Sequence, residues 1–117
     1  MGYSAGPRRG SPPTLPAGIV TARLLRTPRA NEDLLDIWAY VAANSPRVAD
    51  RLLLRIDEQC RLLSKNPLLG ELVEQYRPGL RRFVVGNYLI FYHSLPEGDG
   101  IEVFRILHSA RDIQNLL

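Results

Sequence analysis

The side chains most able to do chemistry crowd the last third of the chain: Arg81, Arg105, Arg111 and His108. Guanidinium groups can stabilise the charge of a phosphorane, and an imidazole with a pKa of about 6.5 can exchange a proton at neutral pH. Such a set could serve phosphodiester cleavage. Arg82, Tyr88 and Tyr92 stand in the same stretch and join these four as candidate contacts for a target or partner. Structural readings are equally definite. Arg105 can pair with Asp112 and tie the last strand to the tail, His108 can be a hydrogen-bonded strand-end residue, and Arg81 can stack on Tyr92. Spacing alone does not separate a tether from a contact residue. His93 precedes a turn and takes no role.

Other candidate groups are weaker. Asp33, Asp36 and Asp57 fall on polar helix faces with no partner fixed by spacing, which predicts solvated carboxylates. Cys60 is the single cysteine, so neither an intramolecular disulfide nor a zinc cluster follows from cysteine spacing, and its place on an apolar helix side makes it a small hydrophobe.

These residues must be positioned by a short series of elements. Residues 1–18 are rich in Gly, Pro and Ser without periodicity and read as a flexible tail, leaving 19–117 as one domain. Ile19 to Arg26 alternates as a first strand, with Val20, Ala22 and Leu24 on one side. Thr27-Pro28 and Ser45-Pro46 each supply a capping hydroxyl followed by a proline at the first helical position. The first helix carries Ala30, Leu34, Ile37, Trp38 and Val41 as its apolar stripe, and the second carries Val48, Ala49, Leu52, Leu53, Ile56, Cys60 and Leu63. Joined by a few residues, the two predict an antiparallel hairpin. Pro67 to Gly79 reads as a connecting loop. From Leu80 the period changes to two, with Gly86-Asn87 as a two-residue hairpin loop and Pro96 to Gly100 as a second turn. Strands near 80–85, 88–94 and 101–108 follow, then a tail able to close as a helical turn. The expected fold is α+β, in the order βααβββ.

A two-residue loop at Gly86-Asn87 sets Val85 opposite Tyr88, Phe83 opposite Ile90 and Arg81 opposite Tyr92. With His93 opposite Glu102, Arg105 falls opposite Ile90, so that Arg81, Tyr92 and Arg105 cluster on one face. The other face then holds Arg82, Val84, Leu89, Phe91, Phe104, Ile106 and His108. Neither face is cleanly polar, so one helical hairpin cannot cover the sheet. The second cover is either Ile113 to Leu117 folding back or a partner chain, with a partner favoured.

Composition agrees with a globular chain: 117 residues, 45% hydrophobic and 23% charged. No apolar run suits a bilayer, no signal-peptide pattern opens the chain, and a cytoplasmic location is expected. The net charge of +3 is unevenly spread, with five Arg and no acid in residues 1–30 and six acids against three Arg in residues 31–60. A net charge of this size is weak for a dedicated nucleic-acid binder.

The string Arg105-Ile106-Leu107-His108-Ser109-Ala110-Arg111-Asp112 is the most specific in the chain. Together with the run from Ala30 to Tyr40 (ANEDLLDIWAY), Gly79-Leu80-Arg81-Arg82 and Tyr88-Leu89-Ile90-Phe91-Tyr92, it resembles the ParE branch of the RelE/ParE toxin superfamily. The resemblance covers roughly residues 20–114, four motifs in the family's order, and leaves out the first 18 residues. It implies the family's βααβββ fold and a toxin encoded beside a ParD-like antitoxin, whose C-terminal part wraps and neutralises it. It further implies DNA gyrase as target, operator DNA reached only through the antitoxin, no membrane partner and no cofactor or metal.

Relatives of the RelE branch instead cleave mRNA inside the ribosome, which would give Arg81, Arg105, His108 and Arg111 catalytic roles without a metal. Many members of that branch carry an Arg directly after the aromatic of the penultimate strand. Here Leu89 follows Tyr88, and the chain ends Ile113-Gln114-Asn115-Leu116-Leu117 without a basic, tyrosine-bearing cluster. Loss of one such cation typically costs two or more powers of ten in rate. The expectation is therefore a gyrase poison acting by contact, with RNA cleavage as the alternative. A third reading is a non-toxic domain that binds antitoxin as a co-repressor.

Overall fold

Two hydroxyl caps start the two helices. Thr27 Oγ1 accepts the Ala30 N–H at 3.0 Å and Ser45 Oγ accepts the Val48 N–H at 3.2 Å. In each case a proline fills the first helical position, where its missing N–H costs nothing. The computed structural model describes residues 22–117, so the expected tail, and residues 19–21 of the expected first strand, lie outside the described residues. The elements are β1 (Arg23–Arg26), α1 (Pro28–Ala42), α2 (Pro46–Lys65), β2 (Glu71–Leu72), β3 (Arg81–Val85), β4 (Tyr88–Ser94), β5 (Gly100–His108) and α3 (Ile113–Leu116). The α+β fold and its βααβββ frame are as expected, with two short elements added. One is α3, the helical turn anticipated in the tail. The other is β2, which lies inside the expected loop.

The five strands are ordered β1-β5-β4-β3-β2. β1 runs parallel to β5, the remaining neighbours are antiparallel, and the α1–α2 hairpin carries the chain from β1 at one edge of the sheet to β2 at the other. The β3–β4 register is the expected one: Val85 faces Tyr88, Phe83 faces Ile90 and Arg81 faces Tyr92. Gly86 takes φ 59° in the tight turn, a left-handed conformation that glycine adopts without a Cβ clash.

β5 corrects the expected register. His93 does face Glu102, but a bulge between Phe91 and Tyr92 puts Arg105 opposite Phe91 and Ile106 opposite Ile90. One additional residue on β5 reverses the sides of everything after it. Arg105 therefore leaves the Arg81–Tyr92 face, while Ile106 and His108 join the face of Ile90 and Tyr88.

The helical hairpin covers one side of the sheet. Ala30, Ile37, Ile56, Cys60 and Leu63 pack there against Ile90, Tyr92, Val103 and Ile106. Trp38, expected in that stripe, is 37% exposed and sends its indole N–H to Asp50 Oδ1 on α2 at 2.8 Å. The opposite side buries Val73, Leu80, Leu89, Phe91 and Leu107 beneath Tyr76, Phe104, Ile113, Leu116 and Leu117. The second cover thus comes from the chain itself, by the fold-back of the tail and the segment after β2. The partner favoured for that duty is not needed for it.

Candidate functional site

The seven candidate residues divide into three groups. The first is a lock at the β3 end of the sheet. Tyr92 is fully buried, and its hydroxyl donates to Pro67 O at 2.9 Å while accepting the Gly70 N–H at 2.7 Å. Burial pushes its phenol pKa up. Arg81 donates from Nη1 to Gly70 O at 2.8 Å and Leu68 O at 3.3 Å. A Cβ on Gly70 would stand 2.5 Å from the Tyr92 hydroxyl and 2.9 Å from Arg82 O, so only glycine allows this approach. Arg82 pairs with Glu71 at 2.6 Å, fastening β2 to β3. Arg81 and Tyr92 share a face as expected, yet they join through a bound turn and not by stacking.

The second group is a buried ion pair. Where β1 ends, Thr27 donates its N–H to Val103 O and its hydroxyl to Phe104 O, turning the chain into α1 and leaving the edge of β5 beyond Val103 without a strand among the described residues. Asp33 of α1 fills that gap. Its Oδ2 accepts the Ile106 N–H at 3.0 Å and Arg105 Nε at 2.8 Å, and its Oδ1 accepts Arg105 Nη2 at 3.0 Å. Arg105 Nη1 then reaches Leu116 O at 2.8 Å. Both residues are nearly dry, at 5% and 7% exposed. The hydrogen bonds that Arg105 donates to Asp33 raise its pKa above the ordinary value. Two expectations are corrected here: Asp33 is not a solvated carboxylate, and Arg105 is tied to Asp33 and not to Asp112. Asp33 was legible in hindsight, because positions 30, 33 and 37 share one helix face and its neighbours on that face are the buried Ala30 and Ile37.

The third group forms a groove. Tyr88, His108 and Arg111 line a depression of about 500 Å³ with Asp36, Ile37 and Tyr40 of α1. The rings of Tyr88 and His108 meet edge to face at 5.2 Å. His108 Nδ1 accepts the Ala110 N–H at 3.0 Å, and His108 O accepts the Arg111 N–H at 3.0 Å. Ser109 N donates to Asn87 O, fixing this turn to the β3–β4 loop. With Nδ1 occupied as acceptor, the neutral ring carries its proton on Nε2. Tyr88 is buried and its pKa is raised, first by desolvation and then by the nearby Tyr40 phenol. Tyr40 itself is 79% exposed. Sequence reasoning missed it, although its place three residues beyond the buried Ile37, at the end of a specific motif, was a usable signal.

The four groups considered for phosphate chemistry therefore do not converge. Arg105 is inside the protein, Arg81 serves the turn at 67–70, and only His108 and Arg111 reach the groove. Leu89 is buried in the second core cluster, beneath the tail. Among the described residues no three His, Cys, Asp or Glu side chains gather as a metal site, and no helix is long and apolar enough to cross a membrane. Cys60 is buried, and desolvation lifts its thiol from the ordinary 9.0 to about 11.

Residues 24–113 match the family described as ParE toxin of type II toxin-antitoxin system, parDE. This chain belongs to the ParE toxin family. It is 28% identical over 99 residues to Toxin ParE1 of Mycobacterium tuberculosis, covering 84% of this chain and all of that protein. With Toxin ParE1 of Caulobacter vibrioides it shares 29% identity over 83 residues, 70% of this chain and 83% of that one. A solved chain described as the chromosomal ParDE TA system from P. aeruginosa superposes with a TM-score of 0.60 at 25% identity, over 73% of this chain and 92% of the other. A chain from the toxin-antitoxin complex RelBE2 of Mycobacterium tuberculosis shares the fold, with a TM-score of 0.54 at 21% identity over 76% and 99% of the two chains.

Proposed function

We propose that this ParE-family toxin poisons DNA gyrase by protein contact through the Tyr40–Tyr88–His108–Arg111 groove, and that a ParD-like antitoxin encoded beside it neutralises it. The observation that carries this reading is the dispersal of the cations. RNA cleavage needs several cationic donors around one phosphate, with a base and an acid placed on either side. Here Arg81 and Arg105 hold the fold together, and Asp36 sets a negative charge beside the two basic groups left at the groove. What the groove offers is an exposed tyrosine, a buried tyrosine at its floor and one arginine. Tyrosine and arginine are the residue types that anchor protein interfaces. The relation to a solved ParDE system supports the antitoxin as partner.

Purified protein should cause gyrase-dependent DNA cleavage and leave mRNA on translating ribosomes intact. Ribosome-dependent cutting with no effect on gyrase would replace this reading with the RNA-cleaving one. Expression without the antitoxin should arrest growth and co-expression should relieve it. Normal growth at verified protein levels would leave only a co-repressor role.

A further inference from the structure

The outer face of the helical hairpin carries a second surface. α1 and α2 leave between them a groove of about 570 Å³ whose apolar walls include Leu34, Trp38, Leu53 and Leu54. Leu54 is 64% exposed. The indole of Trp38 is held by its edge, through the N–H that it gives to Asp50 Oδ1 across the two helices. Two carboxylates, Asp50 and Asp57, also line the groove and are of unequal standing. Asp57 is answered by Arg61 at 2.8 Å and by Arg26 at 3.9 Å. Asp50 joins no ion pair among the described residues, and its hydrogen bond comes from a neutral indole.

The chain itself supplies a segment of matching chemistry. Residues 1–21, outside the described residues and ahead of the family match at 24–113, hold Arg8 and Arg9 and no acid. The run Arg9-Gly10-Ser11-Pro12-Pro13-Thr14-Leu15-Pro16 is sorted at the period of three that a polyproline II helix has. In that conformation Arg9, Pro12 and Leu15 share one edge, Pro13 and Pro16 the next, and Ser11 and Thr14 the third. Two apolar edges and one polar edge suit a groove, and aromatic-lined grooves are where such segments dock, since they have little backbone freedom to lose.

Lengths agree with this pairing. Pro12 to Pro16 would span about 12 Å, against about 15 Å of α2 between Asp50 and Cys60, the ends of the lining on that helix. The reach also suffices. Arg26 lines the groove, Arg23 stands about 10 Å back along β1, and the stretch from Arg23 to Pro16 can cover about 23 Å.

We propose that residues 9–16 of this same chain lie in the α1–α2 groove as a polyproline II segment, with the prolines and Leu15 against Trp38 and Leu54 and with Arg9 toward Asp50. Tethering holds the segment near the groove at high effective concentration, so modest contacts are enough. The segment from a second copy has the same chemistry but must also meet the cost of association, which favours the chain's own. The groove is apart from the Tyr40 groove, and its occupant is independent of the gyrase and antitoxin readings.

Trp38 is the single tryptophan of the chain, so its fluorescence reports on this groove alone. In the full chain, acrylamide quenching of Trp38 should rise at least twofold in the variant Arg8→Glu, Arg9→Glu and in the variant Pro12→Gly, Pro13→Gly, Pro16→Gly. Neither variant alters a residue of the described fold. Asp50→Asn, which keeps an acceptor for the indole N–H, should raise quenching as much as the arginine variant, and combining the two should add nothing further. Wild-type quenching within 20% of that of both segment variants would overturn the proposal. A full arginine effect on top of Asp50→Asn would overturn the placing of Arg9. Shielding that fades on dilution would give the groove to the segment of a second copy, and the occupant proposed would be wrong.

Discussion

The β3 end of the sheet and the Tyr40 groove are built from the same meander and drew the same functional expectations, yet they spend their side chains in opposite ways. At the β3 end Arg81, Tyr92 and Gly70 form a closed lock whose polar atoms face one another. At the groove, Tyr40 and Arg111 are exposed, and among the described residues neither side chain is held in an ion pair. Arg105 stands between the two regions and belongs with the lock, because its guanidinium ties α1, β5 and the tail together. The lesson is that charge and position along a strand do not identify a contact residue. Whether the charge is already answered inside the protein does.

That contrast can be broken most severely at Asp33. Asp33→Ala leaves Arg105 charged and buried without its partner, and Ile106 N–H without an acceptor, which should cost about 3–5 kcal/mol. Chemical denaturation should show the loss, and a value under about 1 kcal/mol would mean that the pair is not a structural tether.

Alkaline pH should act next. The folded Cys60 thiol keeps its proton up to about 11 whereas the unfolded thiol loses it near 9.0, so the unfolded state releases a proton first. Stability carried by this group is complete below pH 9 and drains away as pH rises toward 11, by about 2–3 kcal/mol. The raised phenols of Tyr88 and Tyr92 push in the same direction. Denaturation of wild type and Cys60→Ala at pH 7 and pH 10.5 should show the steeper decline in wild type; parallel declines would show that Cys60 is not the source.

Tyr92→Phe is a smaller lesion, because one hydroxyl serves both Pro67 O and Gly70 N–H. It should lower stability by about 1–3 kcal/mol and loosen the turn at 67–70, seen as faster amide exchange at Gly70. The smallest effect belongs to the groove: Tyr40→Ala and Arg111→Ala should each change stability by no more than about 0.5 kcal/mol. A larger loss would move those residues into the structural class.

Much of this arrangement is legible in the residues. Thr27-Pro28 and Ser45-Pro46 mark both helix starts because capping is local chemistry, and Gly86-Asn87 fixes the β3–β4 register because a two-residue loop leaves no slack. The errors arise where a local signal is absent. The bulge on β5 is a single added residue in an otherwise regular apolar run, and nothing in that run announces it. β2 is two residues long, too short for any period, and exists because Tyr92 and Arg81 hold the preceding turn. The residue type of Asp33 points to solvent, whereas its position between Ala30 and Ile37 points to the core, and position prevails. For the candidate site, Tyr88, His108 and Arg111 were legible from their motif. Their separation from Arg81 and Arg105 follows from the bulge and so was not.

The measurement that bears most directly on the division between lock and groove is gyrase-dependent DNA cleavage by purified, folded Tyr40→Ala, Arg111→Ala double variant beside wild type. Cleavage should fall at least tenfold while the melting temperature stays within a few degrees, as expected for about 1 kcal/mol or less in a chain of this size. Undiminished cleavage by the variant, or a wild-type chain inert on gyrase, would contradict the account.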